Sequence, residues 1–458
     1  MSACCAMTCY YLVGAFRILL PVAALSVGMG APAAGSDVPG AALRFSFGPG
    51  KLETGFIQVL PDTHYSRELG YGFIGAAKIT GMDRGGTDPQ HSHFCTSDTP
   101  FFFTANVPEG NYNVTVTLGD RDGESTTTVK AEARRLMLER VHTAAGEIVS
   151  RTFTVNVRRS RLKSGEDVRL KADEKGSLDW DDQLTLEFSD ARPCLEGLEI
   201  IPVNDAITVF IAGDSTVCDQ GKEPWCAWGQ MLPRFFRAGV AIANHAESGE
   251  SLRSFTGARR LQKILETIKA GDILLIQFGH NDQKDHSPGA GAFTTYKANL
   301  KLYVDEARKR GAIPVLITSM NRRTFDAEGR ITNSLGDFPA AVRQLAREEN
   351  VPLIDLNAMS KTLYEAWGPD GSTRAFVHYP ADTFPGQTKA LKDNTHFNPY
   401  GAYELAKCVV EGIKANKLGI ARFLVDDMPA FDPAHPDPVE KWSVPASPAV
   451  VSTKPEGN

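Results

Sequence analysis

The stretch VFIAGDSTVC, residues 209–218, decides how the chain is read. Val209, Phe210 and Ile211 are a continuous apolar run, and the chain then turns through Gly213, Asp214, Ser215 and Thr216. An uninterrupted apolar run marks a strand buried on both faces, as in a parallel sheet. The small polar cluster after it has two readings. Asp, Ser and Thr cap helices well, so it serves as a strand-to-helix turn. Alternatively, Ser215 is a nucleophile held at the end of a strand.

The flanking sequence repeats the pattern. From Ile207 the apolar runs ITVFIAG, VAIAN, DILLIQFG, IPVLITS and VPLIDL alternate with helical segments at 227–237, 258–269, 292–310 and 338–349, and a last helix runs from Tyr400 to about Ala415. Alternating strands and helices of this kind form a parallel sheet covered on both faces. Upstream, residues 43–205 are different. FFFTANV, YNVTVTLG, SRTFTVNV, DVRLKA and LTLEFS are short runs rich in Val, Thr and Phe, separated by turn clusters such as PEGN, GDRDG and KSGED. That is the pattern of a β-sandwich. Pro202 to Asp205 form the joint, and 207–424 is the α/β unit.

The ends read differently again. Residues 1–36 have the form of an export signal: Arg17, then ILLPVAALSVGMG, then the small-residue site Ala31-Pro32-Ala33. The apolar run is shorter than the ~20 residues of a spanning helix. Cleavage, and a secreted or periplasmic protein with no membrane span, is therefore the expectation. Residues 425–458 are a Pro-rich tail. A net charge of −6 with mixed signs excludes a general nucleic-acid binder, which carries a basic excess. Beyond the leader the cysteines are Cys95, Cys194, Cys218, Cys226 and Cys408, an odd number. Cys218 and Cys226 flank the short loop CDQGKEPWC, where either a disulfide or two buried thiols fit.

Ligands bind parallel sheets at the carboxyl ends of the strands. There the first strand delivers Gly213-Asp214-Ser215, the second runs into ANHAESGESLRSF with Gly249 and Arg253, and the third delivers Gly279-His280-Asn281-Asp282. Ahead of the last helix stands DNTHFNPYGAYELA, with Asp393 three residues before His396. A serine hydroxyl needs a neighbouring base, for which His396 serves, and the base needs an acceptor on its other nitrogen, for which Asp393 is in reach. The amides of Ser215 and Gly249 and the side chain of Asn281 supply donors for an oxyanion. Each piece alone has a plain structural explanation as a cap, a turn or a tight loop. Their order along one βα rhythm carries the weight. No G-x-S-x-G is present, so the ordinary α/β-hydrolase elbow is not the match.

With GDST at 213–216, NHAESGESLRS at 244–254, GHND at 279–282 and DNTH at 393–396, the region 207–418 resembles the SGNH (GDSL-like) hydrolases, closest to the rhamnogalacturonan acetylesterases. The resemblance implies a flavodoxin-like three-layer α/β/α fold. It implies Ser215, Asp393 and His396 as the catalytic residues and Ser215, Gly249 and Asn281 as the oxyanion hole. The N-terminal part, with RFSFGPGK and ELGYGF, is similar to a galactose-binding-like sandwich. The function implied is removal of O-acetyl groups from a plant cell-wall polysaccharide, rhamnogalacturonan or pectin, with no metal and no cofactor. The alternatives are an esterase on another acylated glycan such as xylan, and a non-catalytic carbohydrate-binding protein. The segment 364–392, with Trp367, Tyr379 and several prolines, departs from the family and is placed to reshape the cleft.

Pectic backbones are polyanionic. Arg253, Arg322 and Arg323 fall on loops at the same sheet edge, and Lys284 follows GHND, so these four are the candidate substrate-binding residues. Surface ion pairs are the competing explanation for them. His378 is a reserve candidate for the base. His91 and His93 (HSH) and the DWDD run at 179–182 read as surface features rather than metal ligands. The pattern specifies no oligomeric state.

Overall fold

The computed structural model describes residues 41–86, 91–428 and 430–449. The expected leader at 1–36 and the last residues of the tail lie outside them. Five parallel strands, Ile207–Gly213, Val240–Asn244, Ile273–Gln277, Ile313–Ile317 and Leu353–Ile354, form the sheet of the α/β unit. Numbered along the chain, they lie in the order second, first, third, fourth, fifth. This is the flavodoxin-like order, with its switch point beside the first strand.

Alternation along the first strand explains the layers. Val209 and Ile211 pack on one face with the helices Trp228–Met231, Leu356–Gly371 and Pro399–Ala415. Phe210 and Ala212 pack on the other with Arg260–Thr267, Lys297–Lys309 and Phe338–Glu348. Both faces are dry, which is why the strands lack polar alternation; each large side chain so buried contributes about 1.5–3 kcal/mol. Asn398 caps the last helix by accepting from the Gly401 N–H, and Pro399 occupies the first helical position, where its missing N–H costs nothing.

The all-β part packs two sheets around phenylalanines. Phe103, on Phe101–Asn106, meets Phe45 and Phe47 of the facing strand Leu43–Phe47 edge-on, each at 5.0 Å. One of these sheets does not end at the module boundary. Strand Ile148–Val157 pairs in parallel with Val240–Asn244, Val155 opposite Ile242, so a twelve-stranded sheet passes through both parts. Asn111 also donates to Thr208 Oγ1 at 2.8 Å, and the Gly239 N–H to Thr154 Oγ1 at 2.9 Å.

Some expectations need correcting. DVRLKA is not a strand. Asp167 makes an isolated bridge to Arg161, and the chain then leaves the sandwich, with the Arg169 N–H bonding to Ala258 O at 3.0 Å. The helix expected at 227–237 is a single α-turn followed by the 3₁₀ turn Leu232–Phe235, because Pro233 withholds an N–H. Segment 364–392 is not one long loop. Its start belongs to helix Leu356–Gly371, where Trp367 stacks on Tyr364 at 5.8 Å, and its end forms a hairpin of Phe376–Tyr379 with Leu391–Phe397. Trp367 is half-buried and packs against the core. The tail packs on the body, with the Trp442 ring 4.5 Å from Tyr403. Cys218 and Cys226 are free buried thiols: the Cys226 Sγ–H donates to Gln230 Oε1 at 3.0 Å, and Cys218 Sγ lies 3.6 Å from Ser248 Oγ. Among the described residues no helix is long and apolar enough to cross a membrane.

Candidate active site

The turn after the first strand is built by Asp214. Its Oδ1 accepts from the Thr216 N–H at 3.0 Å and the Thr216 hydroxyl at 2.7 Å, while its carbonyl accepts from the N–H groups of Val217 and Cys218. Gly213 makes the bend possible, since a Cβ there would stand 2.8 Å from Val217 Cβ and 3.0 Å from Gln277 O. Gln277, at the end of the third strand, donates to Thr216 Oγ1 at 2.9 Å. Ser215 is thereby held at the switch point of the sheet.

The hairpin brings the fourth loop to it. His396 Nε2 lies 2.9 Å from Ser215 Oγ, and His396 Nδ1 lies 2.7 Å from Asp393 Oδ2. All three residues are buried. The other oxygen of Asp393 accepts from the N–H groups of Thr395 at 2.8 Å and His396 at 3.0 Å. Burial pushes the Asp393 carboxyl up, but the His396 ring and these two N–H groups outweigh it and hold it well below the usual carboxylate range. A carboxylate fixed there accepts a hydrogen bond from Nδ1–H and so leaves the Nε2 lone pair facing the hydroxyl.

The second and third loops meet beside this chain of contacts. Gly249 sits at φ +77°, left-handed backbone that glycine adopts without strain. Asn281 Nδ2 donates to Glu250 O at 3.0 Å, and the Leu252 N–H donates to Asp282 Oδ1 at 3.0 Å, so the GHND turn is tied to the glycine loop. This bond uses one amide proton of Asn281. Lys284 Nζ donates to Asn281 Oδ1 at 3.1 Å and orients that amide.

The basic candidates separate. Arg253 is exposed at the start of helix Leu252–Gly257. Arg322 is half-buried and donates to Ser334 O at 3.2 Å, with Asp214 and Asp393 as the nearby charges. Arg323 is occupied: Nε donates to Ser372 Oγ at 2.9 Å, Nη1 to Asn394 Oδ1 at 3.0 Å and Nη2 to Pro369 O, and its N–H bonds to Asn394 O at 2.8 Å. It clamps the loop that carries Asp393. His378 is bound to the same Asn394 Oδ1 at 2.9 Å, which engages it away from the base position. Burial, with Arg322 and His396 adding to it, drives His280 well below the ordinary histidine range.

The features read as surface divide: His93 and Asp179 are buried, His91, Trp180 and Asp181 are half-buried, and Asp182 is exposed. His93 bonds Ser46 Oγ at 2.8 Å, and His91 meets Glu196 at 3.2 Å. Asp179 pairs with Arg135 at 2.8 Å. Among the described residues no cluster of three His, Cys, Asp or Glu suits a metal ion. The roles of Asp214, Gln277 and Asn394 were not read from the sequence. Asx turns are common after strands, and only the contacts distinguish these.

Residues 211–402 match the GDSL-like lipase/acylhydrolase family, and residues 43–162 match the beta-agarase/YXIM esterase-like, galactose-binding domain-like family. Rhamnogalacturonan acetylesterase RhgT of Bacillus subtilis is 48% identical over 221 residues, 48% of this chain and 94% of that protein. The uncharacterized esterase YxiM of Bacillus subtilis is 28% identical over 389 residues, 83% of this chain and 92% of that one. The X-ray crystal structure of YxiM aligns over 82% of this chain and 99% of its own, at 26% identity and a TM-score of 0.43.

Proposed function

The chain belongs to the GDSL-like lipase/acylhydrolase family, and on that premise we propose that it is a carbohydrate esterase removing O-acetyl groups from rhamnogalacturonan or a related pectin. One observation carries the chemistry: Asp393, His396 and Ser215 form a continuous hydrogen-bonded chain, 2.7 and 2.9 Å, at the switch point of the sheet.

In the proposed mechanism the Ser215 oxygen attacks the acetyl carbonyl carbon while its proton passes to His396 Nε2. The carbonyl electrons move to an oxyanion, which the N–H groups of Ser215 and Gly249 and the side-chain amide of Asn281 stabilise. Collapse breaks the bond to the sugar oxygen, which leaves with the proton from Nε2. Water then attacks the acyl-serine and gives its proton to the same nitrogen; the bond from the acyl carbon to Ser215 Oγ breaks, Oγ takes that proton back, and acetic acid departs and ionises. Asp393 holds the ring and stabilises its charged form throughout. The substrate class draws on the name of RhgT and on Arg253 and Arg322, guanidinium groups suited to galacturonate carboxylates. A polymeric substrate fits the export that the sequence of residues 1–36 leads one to expect.

The test is acetate release from acetylated rhamnogalacturonan, acetylated homogalacturonan and acetylxylan by the wild type and Ser215→Ala. Release from the pectic polymers, abolished by the substitution, is expected. Preference for xylan would move the substrate. Glycan binding without release by the wild type would make the protein a binding module.

A further inference from the structure

One hairpin of the sandwich reaches the loop that follows Ser215. The hairpin between strands Ser125–Ala131 and Arg135–Thr143 turns through Glu132, Ala133 and Arg134. Glu132 and Arg134 hold φ of 54° and 65°, a left-handed backbone that costs each non-glycine residue about 1 kcal/mol or more. Both are buried. The strained tip is driven into the loop that follows Ser215.

Polar contacts fix it there. Arg134 Nη1 donates to Gln220 O at 2.9 Å and Trp225 O at 3.0 Å, and Nη2 pairs with Glu223 at 2.5 Å. Arg135 Nε donates to Asp219 Oδ2 at 2.7 Å. The other oxygen of Asp219 accepts from Asn244 at 2.8 Å, and Asn244 also donates to Val217 O at 2.9 Å. Gln230 joins the two parts, donating to Ala133 O at 2.7 Å and Gln220 O at 2.9 Å. The last step reaches the reacting residue: Gln220 Nε2 donates to Ser215 O at 2.9 Å.

Stability alone does not call for this arrangement. A buried ion pair seldom exceeds well-packed apolar side chains in net stabilisation. Hydrogen bonds to backbone carbonyls, however, fix the position of a turn in a way that apolar packing does not. Ser215 takes its rotamer and its N–H direction from that turn, and a displacement of about 1 Å is enough to cost roughly 10²-fold in rate.

We propose that the β-sandwich is a positioning element of the esterase site, with Arg134 and Gln220 as positioning residues that hold the turn Ser215–Gln220 for attack. The proposal rests on Ser215 being the nucleophile. It assigns the sandwich a part in the reaction even on substrates too small to touch it.

The test uses the full chain and two variants. In Arg134→Met/Glu223→Gln both charges are removed together, so that neither is stranded. In Gln220→Met the hairpin's bonds to the Gln220 carbonyl stay, and the side-chain bonds to Ser215 O and, at 3.4 Å, to Ser248 Oγ are cut. Each is followed by thermal melting, by kcat and KM on 4-nitrophenyl acetate, and by the rate of labelling with a fluorophosphonate. The expected result is a folded protein with kcat and labelling rate both down roughly tenfold or more and KM within about twofold. Gln220→Met decides alone if the double variant fails to fold. A folded variant labelled at the wild-type rate overturns the proposal. Failure of the wild type to be labelled at Ser215 would instead overturn the nucleophile assignment.

Discussion

Asp393→Asn is the substitution that separates geometry from chemistry. Asp393 Oδ1 already accepts two buried N–H groups, Thr395 at 2.8 Å and His396 at 3.0 Å. An asparagine keeps its carbonyl oxygen there, because turning it away leaves two buried donors facing an NH₂ group, at about 1–3 kcal/mol each. The amide nitrogen therefore replaces Oδ2, the atom now 2.7 Å from His396 Nδ1. A donor at that place forces Nδ1 to accept, so the proton sits on Nε2. Nε2 then presents N–H to Ser215 Oγ and has no lone pair to take the hydroxyl proton. The wrong tautomer costs roughly 10⁴ in turnover in a Ser-His-Asp enzyme, about 5 kcal/mol of barrier. Because the turn keeps its hydrogen bonds, the melting temperature should stay within a few degrees. The assay is kcat on 4-nitrophenyl acetate beside a melting curve. A folded variant retaining more than about a hundredth of wild-type turnover would refute the reasoning.

Asn281→Ala removes one oxyanion donor and should lower kcat by roughly 10²–10³, with the loss of its bond to Glu250 O costing about 1 kcal/mol of stability; an unchanged kcat would take Asn281 out of the site. Arg253→Ala should leave the neutral ester unaffected and weaken hydrolysis of acetylated pectin, read as a rise in KM; equal loss on both substrates would remove Arg253 from substrate binding. Burial raises Asp120, but hydrogen bonds from Arg84, the Asp122 N–H and Arg192 outweigh it and bring the carboxyl down to about 2. Its contribution is therefore present above the ordinary carboxylate value near ~4 and is lost as pH falls toward about 2. Urea midpoints of wild type and Asp120→Asn should converge over that window, and a constant gap would contradict the sign.

What the sequence discloses here follows from the range of each interaction. A parallel strand buried on both faces must be apolar throughout, so ITVFIAG and DILLIQFG announce themselves locally. Asp393 and His396 are equally legible because their partnership spans three residues. A long side chain is harder to read, because its partner is chosen by the fold. Arg323 had the same sequence credentials as Arg322, yet it is spent on Asn394, Ser372 and Pro369. DVRLKA alternates like a strand, but the chain there crosses to Ala258 instead of pairing along a sheet edge. Arg134 and Arg135 look like an ordinary charged turn. Their burial becomes visible only once the second module is in place.

The backbone pairing of Val155 with Ile242, which joins strand Ile148–Val157 to Val240–Asn244, also has a mechanical meaning. Modules joined by a flexible tether sample many orientations, and a long ligand gripped by both must pay to align them. Here strands of the two parts run side by side at neighbouring spacing, so that alignment is set when the protein folds. A polymer lying across both would meet a single rigid ruler, with the distance from any sandwich contact to the Ser215 oxygen fixed in advance.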